Sequence, residues 1–215
     1  MPNHISFIMD GNNRWSKLNN YNQHDAYKKG GNKLITLANY IFDNYKTNFV
    51  SAFALSNNNL KRSKKIIDTL KSVLLVFLKD TLNKNYNFQI IFIGDLNFFN
   101  EETRKLLNEI QLQNINKKKK LIIFLNYSGR KDIETAYTNK TKQKNNYLKS
   151  LSTYNIPDPD MLIRSGGYQR ISDFMLYQIA FTELFFSNKL WPDLSKRDIN
   201  NFINKYKSTK RKFGI

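Results

Sequence analysis

The sequence predicts a single α/β domain built on a central, mostly parallel six-stranded sheet flanked by helices. The chain has 215 residues, enough for one sizeable core and somewhat short for two, so residues 1–215 are taken as one domain. Short β-branched and aromatic runs alternate with longer segments of helical period, which is typical of βαβ units. Helical crossovers in such units make neighbouring strands parallel.

Strands are predicted where short runs of β-branched and aromatic residues end at turn sequences. They are expected near residues 4–9, 49–55, 88–93, 121–127, 161–164 and 184–186. Helical periodicity predicts helices near residues 25–44, 64–84, 100–114, 130–149, 172–181 and 196–207.

The predicted helix 64–84 has more apolar residues than one buried face requires. The main apolar stripe consists of Ile66, Leu70, Val73, Leu74 and Phe77. A second apolar face consists of Leu75, Val76 and Leu78. A surface helix needs only one apolar face. The second face is therefore expected either to pack against another element or to line an apolar ligand channel, and periodicity leaves both interpretations open.

The net charge of +18, from 35 Lys and Arg against 17 Asp and Glu, favours partners that carry phosphates. Nucleic acid, anionic lipid and diphosphate substrates all satisfy that condition, but no nucleic-acid-binding motif supports the first. The absence of cysteine excludes disulfides and thiolate metal sites. With no apolar run longer than residues 73–78 and no signal pattern, we expect a cytoplasmic protein.

Three predicted strand ends carry arginine among small polar residues. The strand ISFIM runs into Asp10 and GNNR, the segment SNNNLKRS spans 56–63, and RSGGYQRIS spans 164–172. In an open parallel sheet, ligands bind beyond the carboxyl ends of the strands. The three loops together predict a polyphosphate pocket, and Asp10 would repel a phosphate there unless a cation such as Mg²⁺ lay between them.

Glu183 is the one glutamate outside a plainly polar helical stretch, because it interrupts the apolar run IAFTELFF. A buried carboxylate is costly unless it is paired or bound to a metal. Glu183 is therefore a second candidate acidic site residue.

These loops lie within longer segments that resemble the signatures of the cis-prenyltransferases, typified by bacterial undecaprenyl diphosphate synthase. The segments are HISFIMDGNNRWSK, ALSNNNLKRS, IGD, NYSGRKDI and RSGGYQRISDFMLYQIAFTELFFSNKLWPDL. The resemblance runs in order from His4 to the KRKFG tail, which is essentially the whole chain.

The resemblance implies a Mg²⁺-dependent enzyme that condenses isopentenyl diphosphate onto an allylic diphosphate such as farnesyl diphosphate. The product would be a cis-polyprenyl diphosphate such as undecaprenyl diphosphate. The resemblance also implies a homodimer and an apolar product tunnel with helix 64–84 as one wall, and it raises the weight of the channel interpretation. A peripheral contact with a membrane for product release is a further expectation.

The resemblance also implies roles for individual residues. Asp10 matches the catalytic aspartate that holds Mg²⁺, and Glu183 matches a second acidic metal ligand that comes from the partner's side of the dimer. Asn59 matches an asparagine proposed to assist proton removal. The loop of the allylic diphosphate corresponds to Gly11, Asn12, Asn13 and Arg14, with Trp15 and Arg62 nearby, and the isopentenyl diphosphate site to Arg164, Arg170 and Ser172. Other expected substrate contacts are Gln23, Tyr27, Ser56, Asn57, Asn58, Leu60 and Ile171.

Several positions that usually contact substrate in the family depart from the family pattern. Gln23 replaces an arginine, Tyr27 a histidine, Asn13 a glycine, and Tyr168-Gln169 a Glu-His pair, while the Ser-Glu-Asn-Trp stretch reads Asn57-Asn58-Asn59-Leu60. We favour compositional drift of a working enzyme over altered substrate choice, including irregular prenyl coupling, because the charged site residues remain. A non-catalytic partner subunit of the same fold is a further alternative, although such subunits typically lose the first-loop aspartate.

Overall fold

Six parallel strands form one sheet in the order β3-β4-β2-β1-β5-β6. The strands are β1 His4–Ile8, β2 Phe49–Ser56, β3 Gln89–Ile93, β4 Lys120–Tyr127, β5 Met161–Arg164 and β6 Glu183–Phe186. The structure is a computed structural model that describes residues 1–143 and 147–209, without the side chains of 139–143 and 147. The predicted α/β class and all six strands are confirmed, and the sheet is entirely parallel.

Helices flank the sheet and connect its strands. They are α1 Asn12–Leu18, α2 Gln23–Asn44, α3 Lys64–Leu82, α4 Glu101–Leu112, α5 Gly129–Gln143 and α6 Lys196–Ser208. Short 3₁₀ turns occupy Asn57–Lys61, Leu96–Phe98, Tyr147–Ser150 and Trp191–Asp193. At the starts of α2, α4 and α6, the side chains of Asn22, Asn100 and Ser195 accept a backbone N–H from three residues further on. No helix in the described part of the chain is both long enough and apolar enough to cross a bilayer.

Two local predictions were wrong. The residues after Asp10, expected as a loop, form the short helix α1, which begins after Gly11 at a φ of 107°. The predicted helix 172–181 is a series of turns, because Ser172, Asp173 and Met175 adopt positive φ angles that an α-helix does not allow. The predicted helix 130–149 corresponds to α5 as far as Gln143, and residues 144–146 lie outside the described residues.

The core lies on both faces of the sheet, as expected for an all-parallel sheet covered on two sides. On one face, strand residues pack with α2, α3, α4 and α6. On the other face, Phe174, Met175 and Ile179 from the non-helical segment cover β1, β2, β4 and β5. The segment 172–181 thus covers this face of the sheet without forming the expected helix.

Helix α3 uses its apolar faces differently from the channel interpretation. Leu70, Leu74 and Phe77 of the main stripe line a large cavity. On the second face, Leu78 is fully buried in the core, while Leu75 and Val76 are half-buried away from the cavity. The helix is therefore a cavity wall through its main stripe, and of the two interpretations of the second face, packing against the core applies at Leu78.

Candidate active site

A cavity of about 640 Å³ opens at the carboxyl ends of β1, β2 and β5. One end is polar and contains side chains of the three arginine-bearing loops. The other end is apolar and is formed by α2, α3 and the aromatic residues near the second 3₁₀ turn, with Leu34, Leu74, Phe77, Phe98 and Phe99 among its walls. The volume falls in the range of small-molecule sites, and its two-ended character suits a ligand with a charged head and an apolar tail.

Asp10 lies two residues beyond β1 and is held there by its backbone. Its carbonyl accepts hydrogen bonds from the Ser165 hydroxyl at 2.9 Å and from the Trp191 N–H at 3.0 Å. Gly11 turns the chain at positive φ, where a Cβ would also meet Leu190 at 2.7 Å. These contacts fix the carboxylate at the polar end of the cavity, with 28% of its side chain exposed.

Arg164 is the buried cation of the site. Its guanidinium donates to the Asp10 carboxylate at 2.7 Å and to the Ser172 hydroxyl at 2.7 Å, and it also donates to the backbone carbonyl of Arg170. The side chain is only 4% exposed, so a rigid fork of donors with a nearby carboxylate suits the position better than a lysine would. Its buried Nε–H has no hydrogen-bond partner among the residues that the structure describes.

Arg14 bridges the first and third loops. It donates to the Gly166 carbonyl at 2.7 Å and lies 3.4 Å from the other oxygen of Asp10. A Cβ at position 166 would approach Arg14 to 2.6 Å, and the φ of Gly166 is +91°, so glycine permits this close approach. Asp10 therefore lies between two guanidinium groups that come from different loops.

Tyr168 is a site residue whose contacts the sequence did not reveal. Its ring lines the cavity, and the guanidinium carbons of Arg170 and Arg14 lie 4.0 and 4.9 Å from the ring centroid. The sequence showed this position only as a departure from the family pattern. The available signal was its place between Arg164 and Arg170, but contact with Arg14 depends on the folded geometry.

The second loop contributes amide and hydroxyl groups beside Arg62. Ser56 and Asn59 form a reciprocal capping pair, with the Asn59 N–H 3.2 Å from the Ser56 hydroxyl and the Ser56 N–H 3.3 Å from the Asn59 side-chain oxygen. Both line the cavity, as do Asn58, Leu60 and Arg62. Burial raises the pKa of Tyr27, and the nearby Arg62 partly opposes this effect, so the phenol faces the cavity as a neutral group.

Five of the predicted site residues lie outside the cavity lining: Trp15, Gln23, Asn57, Ile171 and Glu183. The Trp15 indole N–H donates to Asp193 at 2.7 Å, and Asn57 donates to Asn126 at 2.9 Å. Gln23 supports the first loop from behind by donating to the Asn13 side chain at 2.7 Å.

Glu183 and Asp10 lie at opposite ends of the parallel strands. It is the first residue of β6, whereas Asp10 follows the last residue of β1. The register aligns Ile8 with Arg164 and Arg164 with Phe186, so the two acids differ by five residues along the strand direction. At the usual rise per residue this is about 16 Å. One chain therefore cannot bring these two carboxylates to the same metal ion.

The residues at Asp10 fit a magnesium ion with a single protein carboxylate. No group of three or more His, Cys, Asp or Glu side chains that could hold a metal ion occurs in the described ranges. Mg²⁺ is usually held by one or two carboxylates together with substrate phosphate oxygens. The partly exposed carboxylate of Asp10, beside arginines suited to phosphate, matches that donor set.

Comparison with known proteins identifies the family of this chain. Residues 8–214 match the family model described as "Putative undecaprenyl diphosphate synthase". The chain is 38% identical to an isoprenyl transferase from Rickettsia typhi, over 98% of this chain and 97% of the relative. It is 34% identical to an isoprenyl transferase from Helicobacter pylori, over 98% and 96% of the two chains.

Solved structures with the same fold lead to the same family. Lavandulyl diphosphate synthase from Lavandula x intermedia, solved in complex with dimethylallyl diphosphate, matches with a TM-score of 0.85 and 27% identity, over 100% of this chain and 98% of the other. A structure described as a "probable undecaprenyl diphosphate synthase" from Campylobacter jejuni matches with a TM-score of 0.84 and 25% identity, over 100% and 99%. From the family match, the relatives and the fold, this chain is a prenyltransferase that belongs to the cis-prenyltransferase, or undecaprenyl diphosphate synthase, family.

Proposed function

We propose that this prenyltransferase condenses isopentenyl diphosphate onto an allylic diphosphate, such as farnesyl diphosphate, and releases a cis-polyprenyl diphosphate. The observation that carries the proposal is the two-ended cavity, in which an arginine cluster around Asp10 adjoins an apolar chamber. A prenyl diphosphate has the same division into a charged head and a hydrocarbon tail.

The arginines hold and orient the two diphosphate groups. Arg14 and Arg62 face the head of the allylic substrate, and Arg164 and Arg170, with Ser172, face that of isopentenyl diphosphate. The allylic carbon–oxygen bond breaks and diphosphate leaves with the bonding electrons. The isopentenyl double bond attacks the allylic carbon, and loss of a proton forms the new cis double bond. Holding both reactants in place supplies much of the rate acceleration, because it removes their freedom before the reaction.

Charge on the leaving diphosphate is stabilised by a guanidinium group already in place, since Arg14 is fixed by the Gly166 carbonyl and by Asp10. A Mg²⁺ ion held by Asp10 would add further positive charge at the leaving oxygens. Asn59 is proposed to assist removal of the proton. Its place in the cavity, where the capping pair with Ser56 fixes its amide, supports that role.

The apolar end of the cavity is proposed to hold the growing hydrocarbon chain. Leu70, Leu74 and Phe77 present a continuous wall from one face of α3, and Gly31 of α2 leaves space opposite Phe77, since a Cβ there would lie 3.2 Å from the ring. A cytoplasmic location, with peripheral membrane contact when the lipid leaves, is part of the same proposal.

We also infer a homodimer. Glu183 lies across the sheet from Asp10 of its own chain, so a role as a second acidic ligand requires the partner subunit. β6 is an edge strand, and it exposes 43% of Leu184, with Phe181 before it 73% exposed. An apolar edge of this kind suits pairing with a second copy. Light scattering should give twice the mass of 25.4 kDa, and a monomer at assay concentration would contradict the inference.

Irregular prenyl coupling is the second candidate function. It is favoured by the likeness to lavandulyl diphosphate synthase, a structure that contains dimethylallyl diphosphate, and by the replaced residues Gln23 and Tyr27. A coupling enzyme of that type would join two dimethylallyl units and would have little use for the long apolar chamber that this chain possesses.

The test is incubation of purified protein and Mg²⁺ with farnesyl diphosphate and labelled isopentenyl diphosphate, and in parallel with dimethylallyl diphosphate alone. Chromatography of the products should show polyprenyl diphosphates in the first mixture, with none after chelation of the metal. Product only from dimethylallyl diphosphate would favour irregular coupling. No extension of any allylic primer would overturn the proposed reaction.

A further inference from the structure

Tyr168 lies at the centre of the positive charge in the site. The guanidinium carbons of Arg170, Arg14 and Arg164 lie 4.0, 4.9 and 5.8 Å from the centroid of its ring. Asp10 is the only carboxylate among the described residues that line the cavity. The three guanidinium groups repel one another and share a single carboxylate. The ring of Tyr168 therefore supplies an additional attractive contact for them.

An aromatic face attracts a guanidinium group in a way that preserves its hydrogen-bonding capacity. The negative face of the ring draws the cation, while the N–H groups at the guanidinium edge stay free to donate elsewhere. A carboxylate would instead accept those N–H groups and cancel part of the positive charge. This difference matters most for Arg170, whose side chain is exposed and lies nearest to the ring.

We propose that Tyr168 is a positioning residue of the diphosphate site. Its ring holds the guanidinium groups of Arg170 and Arg14 against the cavity and leaves their N–H groups directed to phosphate oxygens. Where the family resemblance predicts a glutamate, this chain has a neutral ring that contacts these arginines without neutralising them. The inference rests on the proposed function for the identity of the ligand, a prenyl diphosphate, but its physical content applies to any diphosphate anion.

The experiment measures binding of inorganic diphosphate by calorimetry, without metal and at one fixed salt concentration. Tyr168→Phe keeps the ring, Tyr168→Leu removes it, and Tyr168→Glu places an acid among the arginines. Tyr137→Leu is the matched control, because Tyr137 lies on α5, away from the cavity, and is 62% exposed compared with 43% for Tyr168. Circular dichroism checks folding, and Tyr168→Gln provides a second variant without the ring should the leucine variant not fold.

The phenylalanine variant is expected to bind within about 2-fold of wild type, and the leucine variant about 5-fold more weakly, from the usual size of one exposed cation–π contact. The glutamate variant should bind more weakly than the leucine variant. In turnover assays the ring-less variants should raise KM for the diphosphate substrates more than they lower kcat.

Three results would overturn the proposal. One is equal binding by the leucine variant and wild type, another is an equal loss in the phenylalanine and leucine variants, and the third is a wild-type protein that does not bind diphosphate. Failure of the proposed function would look different. Wild type would bind diphosphate with the expected order of variants and still extend no allylic primer.

Discussion

Replacing Asp10 by asparagine should have opposite effects on catalysis and on the binding of bare diphosphate. The Asp10 carboxylate lies 2.7 Å from Arg164 and 3.4 Å from Arg14, so it occupies donors that a phosphate would use. A phosphate oxygen on the far side of those groups would lie about 5 to 6 Å from the carboxylate. Two like unit charges at that separation repel by about 1 to 3 kcal/mol for effective dielectric constants between about 20 and 80.

Without metal, Asp10→Asn should therefore bind inorganic diphosphate about 5- to 150-fold more tightly than wild type. With Mg²⁺ and both substrates, the same variant should form little or no product, because the carboxylate that would hold the ion is gone. Asparagine has nearly the same shape as aspartate, so the comparison changes charge more than packing. Calorimetry gives the first quantity, and a labelled isopentenyl diphosphate assay gives the second.

The matched control is Asp43→Asn, which removes one exposed carboxylate near the end of α2, away from the cavity. It should leave both quantities close to wild type. If Asp10→Asn binds metal-free diphosphate no more tightly than wild type, the anion does not lie beside this carboxylate and the electrostatic argument fails. Undiminished product formation by the same variant would refute the role of Asp10 in catalysis.

Three further predictions concern charge, cavity shape and pH. Arg164→Lys should lower kcat/KM at least about 100-fold, because a lysine ammonium lacks the planar fork in which one nitrogen reaches Asp10 and the other reaches Ser172 and the Arg170 carbonyl. Arg197→Lys, at an exposed position of α6, should not lower it. Leu74→Trp, inside the cavity, should shorten the products seen by chromatography, whereas Leu75→Trp, on the same helix but outside the cavity, should not. Equal product lengths in the two variants would contradict the proposal that the apolar end of the cavity holds the growing chain. Burial lowers the pKa of His4 to about 4, whereas the same side chain in the unfolded chain has a pKa of about 6.5, so the unfolded chain binds the proton first as the pH falls. The free energy of unfolding should therefore fall by at most about 3 kcal/mol as the pH drops from about 6.5 to about 4. Denaturant titrations of wild type and His4→Gln check this, since the variant should lose that part of the pH dependence.

The fold was predictable where periodicity and packing agree, and it was not where long-range contacts decide the backbone. Strands β1 to β5 are short apolar runs that the sheet largely buries, so their pattern predicts them. The apolar run of β6 also marks a strand, although β6 lies at the edge of the sheet and stays partly exposed. The segment 172–181 has helix-like apolar spacing, but Asp173 accepts hydrogen bonds from the Ser128 hydroxyl at 2.5 Å and, through its carbonyl, from the Gly129 N–H at 2.8 Å. These contacts come from a distant part of the chain, and local propensity cannot show them.

The helix α1 was missed for a different reason. Gly11, Asn12 and Asn13 are all typical turn residues, and only seven residues follow the glycine before the helix ends. Its stability comes from burial of Trp15 and the bond from that indole to Asp193, a residue far along the chain. Short helices of this kind depend on tertiary packing more than on propensity.

The meeting of three loops at one edge of the sheet followed from the parallel topology, so the sequence was sufficient to predict the polar pocket. The position of Glu183 could also have been deduced, because a residue just before a predicted parallel strand must lie at its amino end, opposite Asp10. The contacts of Tyr168 could not, since they depend on the rotamers of arginines from two loops.

The departures from the family pattern offset one another in charge, which favours drift of a working enzyme over loss of the site. On the side of α2, the neutral residues Gln23 and Tyr27 stand where the family pattern has an arginine and a histidine. On the side of the third loop, an expected glutamate is the neutral Tyr168. Removing positive charge from one wall and negative charge from the other leaves the attraction for a diphosphate less changed than either replacement alone would. Arg14, Arg62, Arg164 and Arg170 still line the cavity, so the guanidinium groups proposed to hold phosphate are present even though their surroundings have changed.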